Sequence, residues 1–171
     1  MSRLENLLGA QSLALADRLL GHAHGAGAGS SESAALVTLL AHSGRTVSWL
    51  GAVLGLTSSG ATRLVERLVV AGWVKRSTGQ DARRRQLALT RAGTKRARAI
   101  LAGRQAALSG ALSVLSVDER TALEKLLDKV VTRLAEDRLS VLRLCRLCDR
   151  SACSGGGQLC PLEHTVPGAE G

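Results

Sequence analysis

Residues 55–90 read GLTSSGATRLVERLVVAGWVKRSTGQDARRRQLALT, and the architecture of the chain turns on how this stretch folds. Thr57 or Ser58 is placed to cap a helix in which Ala61, Leu64, Val65 and Leu68 recur at i, i+3, i+4 and i+7 and so share one buried face. Gly72 follows as the left-handed residue that stops it. The complementary face carries Ser59, Thr62, Arg63, Glu66 and Arg67. A helix with an aliphatic underside and a small-polar, arginine-bearing outer side suits a DNA major groove, where Ser, Thr and Arg reach phosphates and base edges. Next, WVKRS (73–77) and QLALT (86–90) are short strand-like runs flanking the turn TGQDARRR (78–85). A β-hairpin directly after a second short helix is the wing of a winged helix-turn-helix. At its tip Arg83, Arg84 and Arg85 are consecutive, and guanidinium groups on a thin hairpin can enter a narrow, strongly negative minor groove.

The charge of the chain points to the same partner. Its formal net charge is +9, and between Arg63 and Arg104 twelve Lys or Arg stand against two acids, Glu66 and Asp81. Such a concentrated field attracts polyanions, here double-stranded DNA. A membrane surface would require the basic residues on one helix face with bulky apolar residues opposite. This block instead crosses several elements, and no apolar run approaches the ~20 residues that span a bilayer. The amphipathic N-terminus, with Glu5 and Asp17, is unlike a secretory leader, so a cytoplasmic location is expected.

Of the 171 residues 45% are apolar, yet there is no Phe or Tyr, and Trp49 and Trp73 are the only Trp. A core of Leu, Val and Ala favours helix packing, and no Pro precedes Pro161 to interrupt it. Leu4, Leu7, Leu8, Leu15, Leu19 and Leu20 predict a first helix over residues 3–22, followed by a Gly/Ser-rich connection (22–33) in which Ser31 or Ser33 caps a second helix that stops at Gly44. Thr46 caps a short third helix carrying Val47, Leu50, Val53 and Leu54 on one face. A further helix is expected over 90–115. From Ser116, which forms a capping box with Glu119, a long final helix is expected to run on to the first cysteines. Its stripe of Leu123, Leu126, Leu127, Val130, Val131 and Leu134 is read as pairing with a second subunit. The expected organisation is mainly α with a small β wing: a dimerisation helix and linker (1–30), a winged helix-turn-helix (31–104), C-terminal dimerisation helices (105–144) and a cysteine-rich tail (145–171).

Residues 50–93, with Asp81, Arg83, Leu89 and Thr90 in a D-x-R…L-T pattern, resemble the MarR family of regulators, and the order of helices extends the likeness over roughly residues 3–144. The resemblance implies a homodimer held by its first and last helices and a palindromic DNA operator. It assigns recognition-helix contacts to Ser58, Ser59, Thr62, Arg63 and Arg67 and a wing contact to Arg83, oriented by Asp81. A transcriptional repressor is the implied role.

The tail LCRLCDRSACSGGGQLCPLEH (144–164) holds every cysteine, Cys145, Cys148, Cys153 and Cys160, spaced C-x2-C-x4-C-x6-C. Burial as small hydrophobes does not suit so polar and glycine-rich a stretch, and scaffolding disulfides do not suit a chain without an export signal. Metal binding is expected. The helical rhythm Leu134, Arg138, Val141, Cys145, Cys148 places the first two thiols on one face, and Gly155, Gly156 and Gly157 let Cys153 and Cys160 loop back to complete a four-sulfur site. Tetrahedral zinc and an iron–sulfur cluster both accept four thiolates. The ending Cys-Pro-Leu (160–162) is similar to the four-cysteine [2Fe–2S] loop of redox-sensing MerR-class regulators, which implies an iron–sulfur cluster first and zinc as the alternative; His164 is a residue that could replace a ligand.

An enzyme is the rival class. No Ser/His/Asp arrangement, paired carboxylate motif or phosphate-binding glycine loop is present, so no catalytic residues are expected. GAGAGS (25–30) lacks the following Lys-Ser/Thr and reads as linker. Two alternatives stay open: a regulator that answers to a small molecule and holds structural zinc, and a metal-binding or thiol redox protein without sequence-specific DNA binding.

Overall fold

The computed structural model describes residues 2–25, 29–78, 85–154 and 160–162. The chain order is α1 (Arg3–Gly25), α2 (Ser30–Ala41), α3 (Val47–Leu54), α4 (Ser58–Val70), β1 (Val74–Thr78), β2 (Arg85–Leu89), α5 (Arg91–Leu112), α6 (Val117–Arg133), α7 (Arg138–Leu144) and α8 (Arg150–Ser154). The fold is mostly helical with a two-stranded antiparallel wing, as expected. Among the described residues no single helix is long and apolar enough to cross a membrane.

The short helices start where side chains offer an acceptor to orphan amides. Thr46 Oγ1 accepts from the Trp49 amide at 3.2 Å, Thr57 Oγ1 from Gly60 at 3.1 Å, and Ser116 with Glu119 forms the expected capping box. The start of α2 differs from expectation. Gly29 is its N-cap, and the Glu32 carboxylate accepts from the Gly29 amide at 3.1 Å, a contact neither Ser31 nor Ser33 makes. The first helix also runs to Gly25 rather than ending at residue 22.

The core is aliphatic and centres on α2, α3 and the underside of α4. Leu36, Leu39, Leu50, Leu64, Val65, Leu68, Val74, Leu87 and Ala97 are all buried there. The four apolar positions of the recognition helix read from the sequence are its buried ones. Burying such a Leu contributes about 1.5–3 kcal/mol, so α4 is held by its underside while its outer face stays in water. Two close approaches lock the neighbours of α4. A Cβ on Gly51 of α3 would stand 2.8 Å from the Ala61 methyl of α4. A Cβ on Gly93 of α5 would overlap the Trp73 carbonyl. In the wing, Val74 pairs with Leu89 and Thr78 with Arg85, and Arg45 adds a bridge to Leu87 from the other edge.

The expected long final helix is instead broken. Helix α6 ends at Arg133, and Asp137 caps a new helix, its carboxylate accepting from the Ser140 amide at 2.6 Å while Ser140 Oγ accepts from the Glu136 and Asp137 amides at 2.9 Å. Side chains that satisfy amides locally compete with the continuing i→i−4 ladder, and here they win. Leu134, Arg138, Val141, Cys145 and Cys148 therefore do not form one face of one helix. The break turns α7 across the winged domain. Arg143 Nε donates to the Ala52 carbonyl of α3 at 3.1 Å, and Thr38 Oγ1 of α2 donates to the Arg146 carbonyl at 3.3 Å. Val141 is buried, and Leu147 packs on the core. At the end of α2, the His42 ring lies 5.4 Å from Trp49, which also carries the Arg45 guanidinium 5.3 Å above it, and His42 Nε2 is 3.2 Å from Arg150 Nη1.

Two predictions follow from these contacts. Gly93→Ala should destabilise the chain by about 1–3 kcal/mol or more, since rigid backbone occupies the space of the new methyl. Gly103→Ala in the same helix, where nothing lies within 4 Å, should stabilise by about 0.5–1 kcal/mol. Denaturant unfolding reads both, and the same sign for the two would contradict the packing described.

The second concerns pH. Burial, then the charges of Arg150, Arg45 and Arg138, lower the His42 pKa below its ordinary value of 6.5. An undocked His42 therefore takes up a proton more readily than the docked one. Docking keeps its full strength above the ordinary value and loses it as the pH falls through that value and below. Trp49 emission, recorded in a Trp73→Phe chain, should report this loss on acidification to about pH 5. The step should vanish in His42→Gln, and a flat profile with His42 present would contradict it.

Candidate nucleic-acid interface and cysteine cluster

Ser58, Ser59, Thr62, Arg63 and Arg67 all lie on the exposed face of α4. They are not equally available. Thr62 Oγ1 donates to the Ser58 carbonyl at 2.9 Å, and the Ser59 and Thr57 hydroxyls are 3.3 Å apart, which leaves small, locally satisfied polar groups on the first turn. Arg67 reaches back to α2, where its Nε donates to Glu32 Oε1 at 3.1 Å. With the Arg67 side chain 59% exposed, this ion pair contributes little stability, about 1 kcal/mol at most, but it orients the guanidinium away from the outer face. Arg63 has no such tether among the described residues and extends from the middle of that face. Glu32 escaped the sequence reading because a contact spanning 35 residues has no local signal.

Helix and wing are joined at Thr90. Its hydroxyl caps α5 by accepting from the Gly93 amide at 3.0 Å and donates to the Gly72 carbonyl, just past α4, at 2.7 Å. Arg85 is exposed at the start of β2, on the hairpin whose other strand follows α4 directly. Asp81, Arg83 and Arg84 lie outside the described residues. So do Gly155, Gly156, Gly157 and His164.

The four cysteines fall at four different structural positions. Cys145 is the C-cap of α7, Cys148 closes the next turn with its amide on the Cys145 carbonyl at 2.9 Å, Cys153 sits in α8, and Cys160 precedes a turn. The last segment returns to α6, where Thr132 Oγ1 donates to the Pro161 carbonyl at 3.3 Å and Leu162 is buried. Cys153 and Pro161 line one open cavity of about 580 Å³ with Leu123, Leu127 and Asp128 of α6.

The thiols interact chiefly in two pairs, Cys145 with Cys148 and Cys153 with Cys160. Within the first pair Cys145 holds the proton. Its pKa is raised by the hydrogen bond it makes to Cys148, by burial, and by the negative charge the other cysteines carry when ionised. Cys148 is lowered, first by that hydrogen bond and then by Arg104 and Arg146, against burial and Asp149. Burial and Cys160 push Cys153 up to about 11. A thiol pair biased towards thiolate beside two guanidiniums suits a soft cation. All the same, among the described residues no three of His, Cys, Asp or Glu converge as a ready-made metal group. The donor chemistry fits a four-thiolate site, and filling it would require the two pairs to draw together.

Comparison with known proteins agrees with the fold. Residues 28–85 match the MarR family model. The structure superposes on the YusO protein of Bacillus subtilis with a TM-score of 0.66 at 23% identity, covering 75% of this chain and 92% of that one. On apo MarR of E. coli the TM-score is 0.63 at 24% identity, covering 76% and 98%. A mutant of S. aureus MepR bound to an oligodeoxyribonucleotide gives 0.61 at 21% identity, covering 78% and 99%. Among curated protein sequences, none matches the chain. The chain thus shares the winged-helix fold of these structures, and its residues 28–85 are similar to the MarR family.

Proposed function

We propose that the protein is a transcription regulator, a repressor, that binds a palindromic operator in double-stranded DNA as a homodimer. The observation that carries this reading is α4 itself: its aliphatic underside is seated in the core, and Ser58, Ser59, Thr62 and Arg63 are presented to solvent beside a basic hairpin. The MepR complex supports it by analogy of fold. Arg63 is the foremost base-reading candidate, with Arg67 held nearer the backbone side by Glu32 and with Arg83, Arg84 and Arg85 supplied by the wing. The dimer reading rests on apolar side chains left exposed among the described residues: Leu4, Leu7, Leu8 and Leu13 of α1, Leu126, Leu127 and Val130 of α6, and Leu134 at its end.

In this reading Cys145, Cys148, Cys153 and Cys160 hold an iron–sulfur cluster, with zinc as the alternative occupant, and the site senses redox state. The cluster would supply an oxidation state that the protein can read. The chain's own part is to present two thiols on the turn after α7 and two from α8 and the segment pinned to α6.

Three outcomes are expected. Operator binding should weaken steeply with salt, and Arg63→Ala should cost about 1–3 kcal/mol with relaxed specificity, whereas Arg67→Ala should cost less. Titrations of a duplex selected from random DNA measure this, and unchanged affinity in Arg63→Ala would remove the assignment. Leu126→Asp would bury an unpaired charge in the dimer and should yield monomers or insoluble protein. A well-folded dimer in solution scattering would move the interface elsewhere. Anaerobically purified protein should carry about one metal centre per chain, coloured if iron–sulfur and colourless if zinc, and Cys→Ser at any one of the four positions should abolish it.

A further inference from the structure

We infer that the state of the cysteine site is relayed to the recognition helix inside each chain, through α7 and α3, and not only through the spacing of two subunits. The inference rests on the metal reading given above. Its ground is that two of the cysteines, Cys145 and Cys148, stand at the end of the helix that touches the winged domain.

Each link is a short contact. Cys145 ends α7 and Cys148 closes the following turn. The residues beside and between them are the tethers: Arg143 Nε donates to the Ala52 carbonyl of α3 at 3.1 Å, and the Arg146 carbonyl, inside the Cys145–Cys148 turn, accepts from Thr38 Oγ1 of α2 at 3.3 Å. Thr38 is buried, so its hydroxyl has little else to bond. Drawing Cys145 and Cys148 onto a common ion fixes the turn that carries the Arg146 carbonyl and the helix end that carries Arg143. Releasing the thiols frees both.

The second half of the path is packing. Ala52 directly follows Gly51, and a methyl on Gly51 would find the Ala61 methyl of α4 only 2.8 Å away. Because the gap between Gly51 and Ala61 is too small for even a methyl group, α3 has little room to shift towards α4 without moving it, since close-packed interiors transmit displacement. Ala61 lies one residue before Thr62 and two before Arg63. The outer face of α4 is thus two non-covalent contacts from the cysteine turn, Arg143 with Ala52 and Gly51 with Ala61. A site influences DNA binding only to the extent that its two states differ in free energy with the DNA-binding surface held or released. The Arg143 and Thr38 tethers are where that difference arises, and they favour the loaded state as the tighter binder.

The test uses the full chain, purified anaerobically with its metal, beside a chain with Cys→Ser at all four positions, each titrated with the duplex selected from random DNA by the loaded protein. The loaded chain should bind at least about 5-fold tighter. Thr38→Val, which keeps shape and charge, and Arg143→Ala should each bring that ratio close to one while metal content stays that of the unaltered chain. Hydrogen exchange in residues 47–54 should be slower in the loaded chain and lose that protection in both variants. A ratio near one in the unaltered, metal-bearing chain overturns the relay and leaves the metal reading intact. So does a ratio that survives in both variants, which would return the coupling to subunit spacing. A chain that carries no metal removes the metal reading and the relay with it, and metal analysis registers that before any affinity is measured.

Discussion

The relative placement of α4 and the wing depends on one junction of backbone polar groups. The Thr90 amide donates to the Trp73 carbonyl at 3.0 Å, its hydroxyl donates to the Gly72 carbonyl, and the same hydroxyl accepts from Gly93. The end of the recognition helix, the wing and α5 therefore meet within a few ångströms. Gly93 is required there because the Trp73 carbonyl fills the place of a side chain. Across the junction, the Arg96 guanidinium lies 5.1 Å from the centroid of the Trp73 ring and covers it. Without these bonds the hairpin could pivot, and Arg85 would no longer keep a set distance from Arg63.

A second constraint acts at residues 134–137. A helix continuing from α6 would have carried the cysteines away from the winged domain. The Asp137–Ser140 cap offers the local amides other acceptors, and a capped start of this kind contributes about 1 kcal/mol. That small preference has a large geometric consequence. It sets α7 across α3 and brings Arg143, Arg146 and Arg150 to within hydrogen-bonding distance of α2 and α3.

The two ends of the chain contrast with its middle. The winged domain closes its own aliphatic core, with Leu36, Leu64, Val65 and Leu87 removed from water. Helices α1 and α6 leave rows of Leu and Val exposed, and α6 has no buried residue. An aliphatic core without Phe or Tyr has few large anchors, so closeness of approach at Gly51 and Gly93 takes over part of the task of locking elements together.

Local physics was enough to read the winged domain from the sequence. Helical spacing identified Ala61, Leu64, Val65 and Leu68 as the buried face, side-chain oxygens identified Thr46, Thr57 and Ser116 as caps, and the hairpin followed from two short runs around a turn. These signals act over one or two helical turns, and the sequence carries them entire. Elsewhere local signals competed. Ser31 or Ser33 was the expected cap of α2, and the reach of Glu32 makes Gly29 the cap instead. The stripe through Leu134 and Val141 argued for one helix, and periodicity alone does not register the Asp137 cap that makes it two. The pairing of Arg67 with Glu32, the Arg143–Ala52 and Thr38–Arg146 bonds, and the seat of His42 between Trp49 and Arg150 join residues far apart in the chain. Only the tertiary fold decided those, because a contact across the chain depends on where every intervening element packs, and no local pattern encodes it.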